Sequence, residues 1–231
     1  MNIKVLDHDS LQARLGVAEP HAPTAMLHEV FAESRDGAGL GFVFAMAGRK
    51  ARAGRPILWV QERMALLEGG VPSVRGLAGW TVPDGLIRVR ARNGTDLLWA
   101  MEEGLRCQNL SAVIGEIWGE AQALDFTATR RLAMRARANG VPAYLLRVAA
   151  SPGLSAAGER WRIKALPSTV HPYNRKAPGD PRWALEMFRA RWQRPGAWVG
   201  RYDRAAHRLD LSARAGDGAV ADHQRNAART G

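Results

Sequence analysis

A glycine-rich stretch, residues 33–41, is the first part of the sequence whose residue types could do chemistry. It places Gly37, Gly39 and Gly41 between a predicted strand at residues 27–31 and a predicted helix at residues 42–52. Backbone N–H groups in such a loop can hold nucleotide phosphates, but the loop also requires a Lys to neutralise their charge and a Ser or Thr to bind Mg²⁺. Phe42 and Val43 follow Gly41 instead. We therefore expect a structural turn without nucleotide hydrolysis, with weak anion binding as the alternative.

Polar residues end two further predicted strands. Glu116 comes near the end of the strand at residues 110–117, where a nucleotidase holds Mg²⁺ through an Asp. Gln61 and Glu62 end the strand at residues 55–62, where a carboxylate could orient an attacking water. Because the glycine-rich stretch lacks its Lys and hydroxyl, we expect Glu116 to be capped or solvated and the other two to lie at a solvated strand end. No catalytic residue, metal site or cofactor is predicted.

Strands alternate with helices through the first two thirds of the chain. The predicted strands are residues 27–31, 55–62, 85–90, 110–117 and 141–147. Helices are predicted at residues 42–52 and 123–138, and Leu97, Leu98, Met101 and Leu105 recur at helical spacing. Strands connected by helices of this length form a parallel sheet that is covered on both faces. The sequence therefore predicts an α/β fold with a mostly parallel central sheet flanked by helices.

Length and composition limit the organisation of the chain. Its 231 residues, 46% of them hydrophobic, suffice for one sizeable core with a small appendage. We predict a peripheral segment at residues 1–22, the α/β domain at residues 23–205, and a disordered tail at residues 206–231, which lack apolar periodicity. The single cysteine, Cys107, is expected to be a small core residue. Without a disulfide framework, a signal peptide or a membrane-spanning run, the expected localisation is cytoplasmic.

The last third of the chain is basic and rich in tryptophan. The formal net charge is +11, and residues 147–208 contain 13 Arg and Lys but 4 Asp and Glu. A strand is predicted at residues 159–166 and another at 197–202, in a short antiparallel meander, whereas residues 182–194 fit a strand or a helix. Trp161 is expected in the core, and the loop that contains Arg175 and Lys176 is expected to make contacts. DNA or a partner protein is predicted to bind Arg160, Arg162, Lys164, Arg175, Lys176, Arg182, Arg189, Arg191, Trp192 and Arg194. The alternative is that the tryptophans pack inward while the arginines are solvated.

Several stretches together resemble the ImuA family of RecA-like accessory proteins. These stretches are residues 28–31, 58–61, 96–107, 124–133 and 160–161, and the segment DLLWAMEEGLRC at residues 96–107 is the most specific. The resemblance extends from about residue 28 to residue 202. It implies a RecA-like, P-loop-type core in which Glu116 occupies the Walker B carboxylate position and residues 37–42 occupy the Walker A loop.

The resemblance also implies a function and partners. Proteins of this family act in a damage-inducible mutagenesis cassette, so the resemblance implies a non-catalytic adaptor in SOS-induced, error-prone translesion DNA synthesis. The implied partners are an ImuB-type polymerase-like protein, an error-prone DnaE-type polymerase, RecA and DNA, and homo-oligomers remain possible. Two alternatives are a residual nucleotide-binding, RecA-like ATPase that acts on DNA and a cell-division inhibitor of the SulA kind.

Overall fold

Largely apolar strands form the centre of the parallel half of one sheet. The computed structural model describes residues 25–34, 36–49, 51–52, 54–77, 80 and 85–213. The strands are β1 (Leu27–Ala32), β2 (Ile57–Glu62), β3 (Leu86–Ala91), β4 (Ala112–Trp118), β5 (Ala143–Val148), β6 (Glu159–Leu166), β7 (Arg182–Ala190), β8 (Gly196–Asp203) and β9 (Arg208–Ala213). The helices are α1 (Ala38–Arg49), α2 (Arg63–Gly69), α3 (Val74–Leu77), α4 (Gly94–Gly104) and α5 (Phe126–Asn139).

All the described strands belong to one sheet, in the order β3-β2-β4-β5-β1-β6-β7-β8-β9. In this sheet order, the six strands from β3 through β6 pair in parallel. The four strands from β6 through β9 pair as an antiparallel meander. The predicted α/β class, with a mostly parallel sheet and a C-terminal antiparallel meander, is confirmed. No helix in the described ranges is long and apolar enough to cross a membrane.

Two hydrophobic clusters cover the two faces of the sheet. On one face, α1 packs Phe42 and Phe44 against Trp59, Trp161 and Trp183. On the other face, α4 and α5 contribute apolar side chains, among them Leu97, Met101 and Leu132, that pack against the parallel strands. Burial on both faces explains why β2, β4 and β5 are largely apolar runs rather than alternating patterns. The predicted inward position of Trp161 is confirmed, since it is 4% exposed.

Polar side chains begin the helices that connect the strands. Asn93 accepts a hydrogen bond from the N–H of Asp96 at the start of α4, and Asp125 accepts one from the N–H of Ala128 at the start of α5. Gly140 ends α5 in the left-handed conformation that glycine adopts without a steric cost. These caps satisfy backbone groups that a helix end leaves without partners.

Several expectations about local structure are wrong. Helix α1 begins at Ala38 and not at residue 42, because the Asp36 carboxylate caps its first turn. Strand β9 lies in the segment predicted to be disordered, since Leu209 is buried and β8 supplies its backbone partners. Cys107 is exposed rather than in the core, because it follows the end of α4. Residues 182–190 form a strand, which the sequence left undecided. The predicted segment 1–22 and residues 214–231 lie outside the described residues.

Candidate functional site

A crevice of about 400 Å³ opens at the carboxyl ends of β1, β4 and β5. Parallel α/β sheets bind their ligands at this edge. The loop that connects β1 to α1 and the segment that follows α2 complete the walls. The charged side chains described in the lining are Asp36, Glu68 and Glu116, and apolar wall is supplied by Trp118 and Leu146. The structure brings Gly37, Gly39 and Glu116, which the sequence singled out, to this one crevice.

Asp36 occupies the position at the start of α1 where a nucleotide-binding protein would hold phosphate. Its Oδ1 accepts a hydrogen bond from the backbone N–H of Ala38 at 2.9 Å. Its Oδ2 accepts a second hydrogen bond, at 2.6 Å, from the backbone N–H of Ala165. Ala165 lies on β6, the strand that neighbours β1. The partial positive charge of a helix N-terminus favours an anion, and here that anion is a side chain of the chain itself. A phosphate group would have to displace this carboxylate.

The three glycines of the candidate loop do not form one loop. Gly39 and Gly41 lie within α1, and only Gly37 precedes it. A Cβ atom on Gly39 would lie 2.7 Å from Leu146 Cδ1 and 2.8 Å from the Cβ of Ala32, so the missing side chain lets α1 pack closely on the sheet. A Cβ atom on Gly41 would lie 3.0 Å from the Trp80 ring. These two glycines therefore serve packing.

The early start of α1 also changes which residues follow the loop. Ala38 and Gly39 are the first residues of the helix, so they hold the positions at which a phosphate-binding loop has its Lys and hydroxyl. Neither residue offers a charge or a hydroxyl group. Phe42, which the sequence placed at the lysine position, is buried with its ring centroid 5.7 Å from that of Trp161.

Glu116 is buried at the base of the crevice, where the sequence predicted a capped or solvated carboxylate. Its Oε2 accepts hydrogen bonds from Trp59 Nε1 and from Gln61 Nε2, both at 3.1 Å. No described residue donates a hydrogen bond to Oε1. Burial raises the pKa of Glu116 to about 7, and the two hydrogen bonds lower it by a smaller amount. At neutral pH this carboxyl group is therefore poised between its neutral and charged forms.

Gln61 and Glu62 are also buried rather than solvated. Gln61 Nε2 donates to the carbonyl oxygen of Gly70 at 2.9 Å as well as to Glu116. The Glu62 carboxylate accepts from the backbone N–H groups of Met64 and Ala65 and so caps α2. Both side chains consequently have structural partners. Within the described residues, no three His, Cys, Asp or Glu side chains are placed to hold a metal ion together.

The predicted basic contact residues are distributed over different parts of the antiparallel half. Arg160 is 4% exposed, and its Nε donates to Glu29 Oε2 at 2.7 Å. A buried ion pair holds this guanidinium inside the fold, a position that does not favour the predicted contact of Arg160 with DNA or a partner. The next side chain on the same face, Arg162, is exposed and pairs with Glu186 at 3.1 Å. Lys164 is exposed as well and pairs with Glu33 at 2.9 Å.

The face that carries Arg162 and Lys164 lies opposite α1, and a depression of about 540 Å³ indents it. The Arg162 guanidinium lies 4.4 Å from the ring centroid of Phe188, which adds a cation–π contact. Arg182 is half-buried and Arg189 is exposed. Because Arg162 and Lys164 each have an acidic neighbour, part of the positive charge on this face is balanced.

The remaining predicted contact residues occupy opposite edges of the sheet. Arg175 and Lys176 are exposed in the loop of residues 167–181, which follows β6 at the carboxyl edge. Arg191, Trp192 and Arg194 lie in the turn between β7 and β8, at the amino edge. An eight-residue strand separates the two edges by about 26 Å. The structure therefore does not bring these five residues together.

The loop of residues 167–181 combines basic groups with an exposed aromatic ring that the sequence did not single out. Tyr173 is 93% exposed. Among the described residues, none forms an ion pair with Arg175 or Lys176. The base of the loop is fixed, since Thr169 Oγ1 accepts from the N–H of Asp180 at 2.8 Å and a β-bridge joins Val170 to Pro178. An aromatic residue between two prolines, next to the basic pair, was the signal in the sequence.

Comparison with known proteins gives the family. Two curated proteins called Protein ImuA, from Caulobacter vibrioides strains NA1000 and ATCC 19089, are each 34% identical to this chain over 171 residues. The chain belongs to the ImuA family. The matched region covers 69% of this chain and 66% of each ImuA protein from Caulobacter. No protein-family model matches this ImuA-family chain.

Proposed function

We propose that this chain is a non-catalytic, RecA-like adaptor in SOS-induced, error-prone translesion DNA synthesis. The observation that carries the proposal is the 34% identity to Protein ImuA over 69% of this chain. A parallel core of six strands with a crevice at its carboxyl edge supports the RecA-like part of the proposal. The adaptor links an ImuB-type polymerase-like protein, an error-prone DnaE-type polymerase and RecA to DNA.

The acid-lined crevice supports the non-catalytic part of the proposal. Phosphoryl transfer needs cationic groups around the transferred phosphate. Asp36 and Glu116 line the corresponding position here, and Ala38 and Gly39 provide no Lys and no hydroxyl. The competing candidate is a residual ATPase, which the location of the crevice and of Glu116 favours. Saturable ATP hydrolysis that is lost in Glu116→Gln would establish that candidate in place of ours.

We assign DNA contact to the loop of residues 167–181 rather than to the whole basic third. In this loop, the exposed ring of Tyr173 can stack on a base. Arg175 and Lys176, which have no ion-pair partner among the described residues, can pair with phosphates. Single-stranded nucleic acid binds this combination of groups. Arg162 and Lys164 have acidic partners that a phosphate would have to replace.

Single-stranded DNA titrations at several salt concentrations test this assignment. In Arg175→Ser/Lys176→Ser, two phosphate contacts disappear, so the slope of log K against log salt should become shallower by about 1.4. Arg130→Ser/Arg137→Ser is the matched control, because it removes the same charge from exposed positions of α5. Equal slopes for both variants and the wild type would refute the assignment of DNA binding to this loop.

A further inference from the structure

Helix α4 presents a large aromatic ring to solvent. Trp99 is 67% exposed, whereas Leu97, Leu98 and Met101 of the same helix are buried. Among the described residues, no ring packs against that of Trp99 and no acceptor binds its Nε1–H. A tryptophan combines a large apolar face with a hydrogen-bond donor, and such side chains contribute most of the binding energy in many protein interfaces.

A cavity of about 270 Å³ lies beside this ring, between α4 and α5. Leu98 and Trp99 line it from α4, Arg131 lines it from α5, and Ala123 lines it from the segment before α5. An apolar side chain that entered the cavity would therefore contact Leu98, Ala123 and the Trp99 ring at the same time. Hot spots of protein interfaces have this arrangement, in which an aromatic anchor lies next to a pocket that a partner side chain fills.

The surface of α5 beside the cavity is positively charged. Helix α5 contains four arginines and no acidic residue. Arg131 and Arg135 share one carboxylate, that of Glu102 on α4, at 2.9 and 3.0 Å. Arg130 is exposed, and no described carboxylate pairs with it. One carboxylate therefore serves three guanidinium groups, and the excess positive charge favours an acidic ligand.

We propose that an acidic segment of a partner protein docks on the α4–α5 surface, which comprises Trp99, Arg130, Arg131, Met134 and the cavity. One large apolar side chain of that segment enters the cavity and packs against Trp99. Carboxylates that flank this side chain pair with Arg130 and Arg131. Met134, which is 61% exposed on α5, adds a flexible apolar contact. This inference rests on the proposed adaptor function, since a partner must supply the segment.

The composition of the α4–α5 surface favours a protein over a nucleic acid. Trp, Met and Arg are residue types that protein–protein interfaces contain more often than the rest of a protein surface. A nucleic-acid site follows the phosphate backbone with a groove of cations, whereas Glu102 already pairs with two of the three arginines here. An acidic segment with one apolar anchor matches both the charge of α5 and the cavity beside Trp99.

Titration of the full-length chain with the acetylated and amidated pentapeptide EDFDE, followed by NMR of the indole N–H groups, tests the proposal. The chain contains eight tryptophans, and Trp99→Phe identifies the Trp99 signal by its absence. EDFDE should shift this signal saturably, whereas the charge-reversed peptide KKFKK and the peptide EDADE, which lacks the ring, should not. The single-stranded oligonucleotide dT8 should also leave the signal unchanged.

Two substitutions test the two parts of the α4–α5 surface separately. The backbone amides of Thr95 and Ala123, which line the cavity, report the affinity of each variant for EDFDE. Trp99→Ala should weaken binding at least about tenfold, because it removes the aromatic anchor. Arg131→Gln should weaken binding about three- to tenfold, because it removes one charge-assisted hydrogen bond to the peptide.

Matched controls lie elsewhere on the chain. Arg162→Gln removes a guanidinium of the same exposure as Arg131, 51% against 50%, which also pairs with a glutamate. Leu154→Ala removes an exposed apolar side chain from the loop between β5 and β6. Both variants should bind EDFDE as the wild type does.

Several outcomes would overturn the proposal. They are the absence of a saturable shift with EDFDE, an equal shift with KKFKK or EDADE, and unchanged binding in Trp99→Ala. A larger shift with dT8 than with EDFDE would assign the surface to nucleic acid and overturn it as well. Arg175→Ser/Lys176→Ser, the variant of the DNA titration, should bind EDFDE normally, so failure of this inference and failure of the proposed function can be told apart.

Discussion

Replacement of the buried carboxyl group by an amide, in Glu116→Gln, should change how stability depends on pH. Burial raises the pKa of Glu116 from 4.5 to about 7 in the folded chain. Between these two values the folded state retains a proton that the unfolded state has released. The free energy of unfolding of the wild type therefore falls as pH rises through this window, and the loss is complete above pH 7.

The size of the effect follows from the two pKa values. A change from 4.5 to about 7 corresponds to about 3 kcal/mol of free energy. The amide of the variant does not ionise, and its oxygen can still accept from Trp59 Nε1. The variant should thus gain up to about 3 kcal/mol on the wild type between pH 4.5 and about pH 8. Other titrating groups affect both proteins equally and cancel in the difference.

Urea denaturation at several pH values between about 4.5 and 8 measures this difference directly. The free energy of unfolding of Glu116→Gln minus that of the wild type should rise with pH and level off near the upper end of this range. Glu103→Gln, which replaces an exposed carboxylate, should show no such trend. A difference that stays constant over the whole range would mean that Glu116 is not desolvated, and the description of the crevice would be wrong.

Further substitutions test the packing of the sheet. Gly39→Ala places a Cβ against Leu146 and should lower the free energy of unfolding, measured in urea, by about 1–3 kcal/mol. Gly37→Ala is the control, because the space around Gly37 is open, and its free energy of unfolding should be within about 0.5 kcal/mol of the wild type. Arg160→Ala leaves Glu29 buried without its partner and should cost about 3–5 kcal/mol, but Arg162→Ala should cost less than about 1 kcal/mol. Similar losses within either pair would contradict these assignments.

The central parallel strands could be predicted because several of them contain apolar runs. Residues 57–60 and 143–146 are apolar and buried, and such runs between helices have few other interpretations. Strand β9 could not be predicted in this way. Leu209 and Leu211 are its only large apolar residues, and the backbone partners that stabilise it come from β8.

The location of the candidate site followed from strand ends, but its chemistry did not. A strand end predicts where Glu116 lies, whereas its burial depends on Trp59 and Gln61, which precede it by 57 and 55 positions. Similarly, period-two alternation places Arg160 and Arg162 on one face. The buried partner Glu29, which removes Arg160 from the surface, is 131 positions away. The sequence also does not show whether a glycine allows a turn or a close contact between a helix and the sheet. Gly39 allows such a contact.

The most direct test of the adaptor function is recovery of the tagged chain from DNA-damaged cells, with the bound proteins identified by mass spectrometry. The lysate is divided, and ATP is removed from one half with apyrase. We predict that an ImuB-type polymerase-like protein is recovered in equal amounts from both halves, because the crevice holds carboxylates where phosphates would bind. Absence of that protein from both halves, or its loss on removal of ATP, would contradict the proposal of a non-catalytic adaptor.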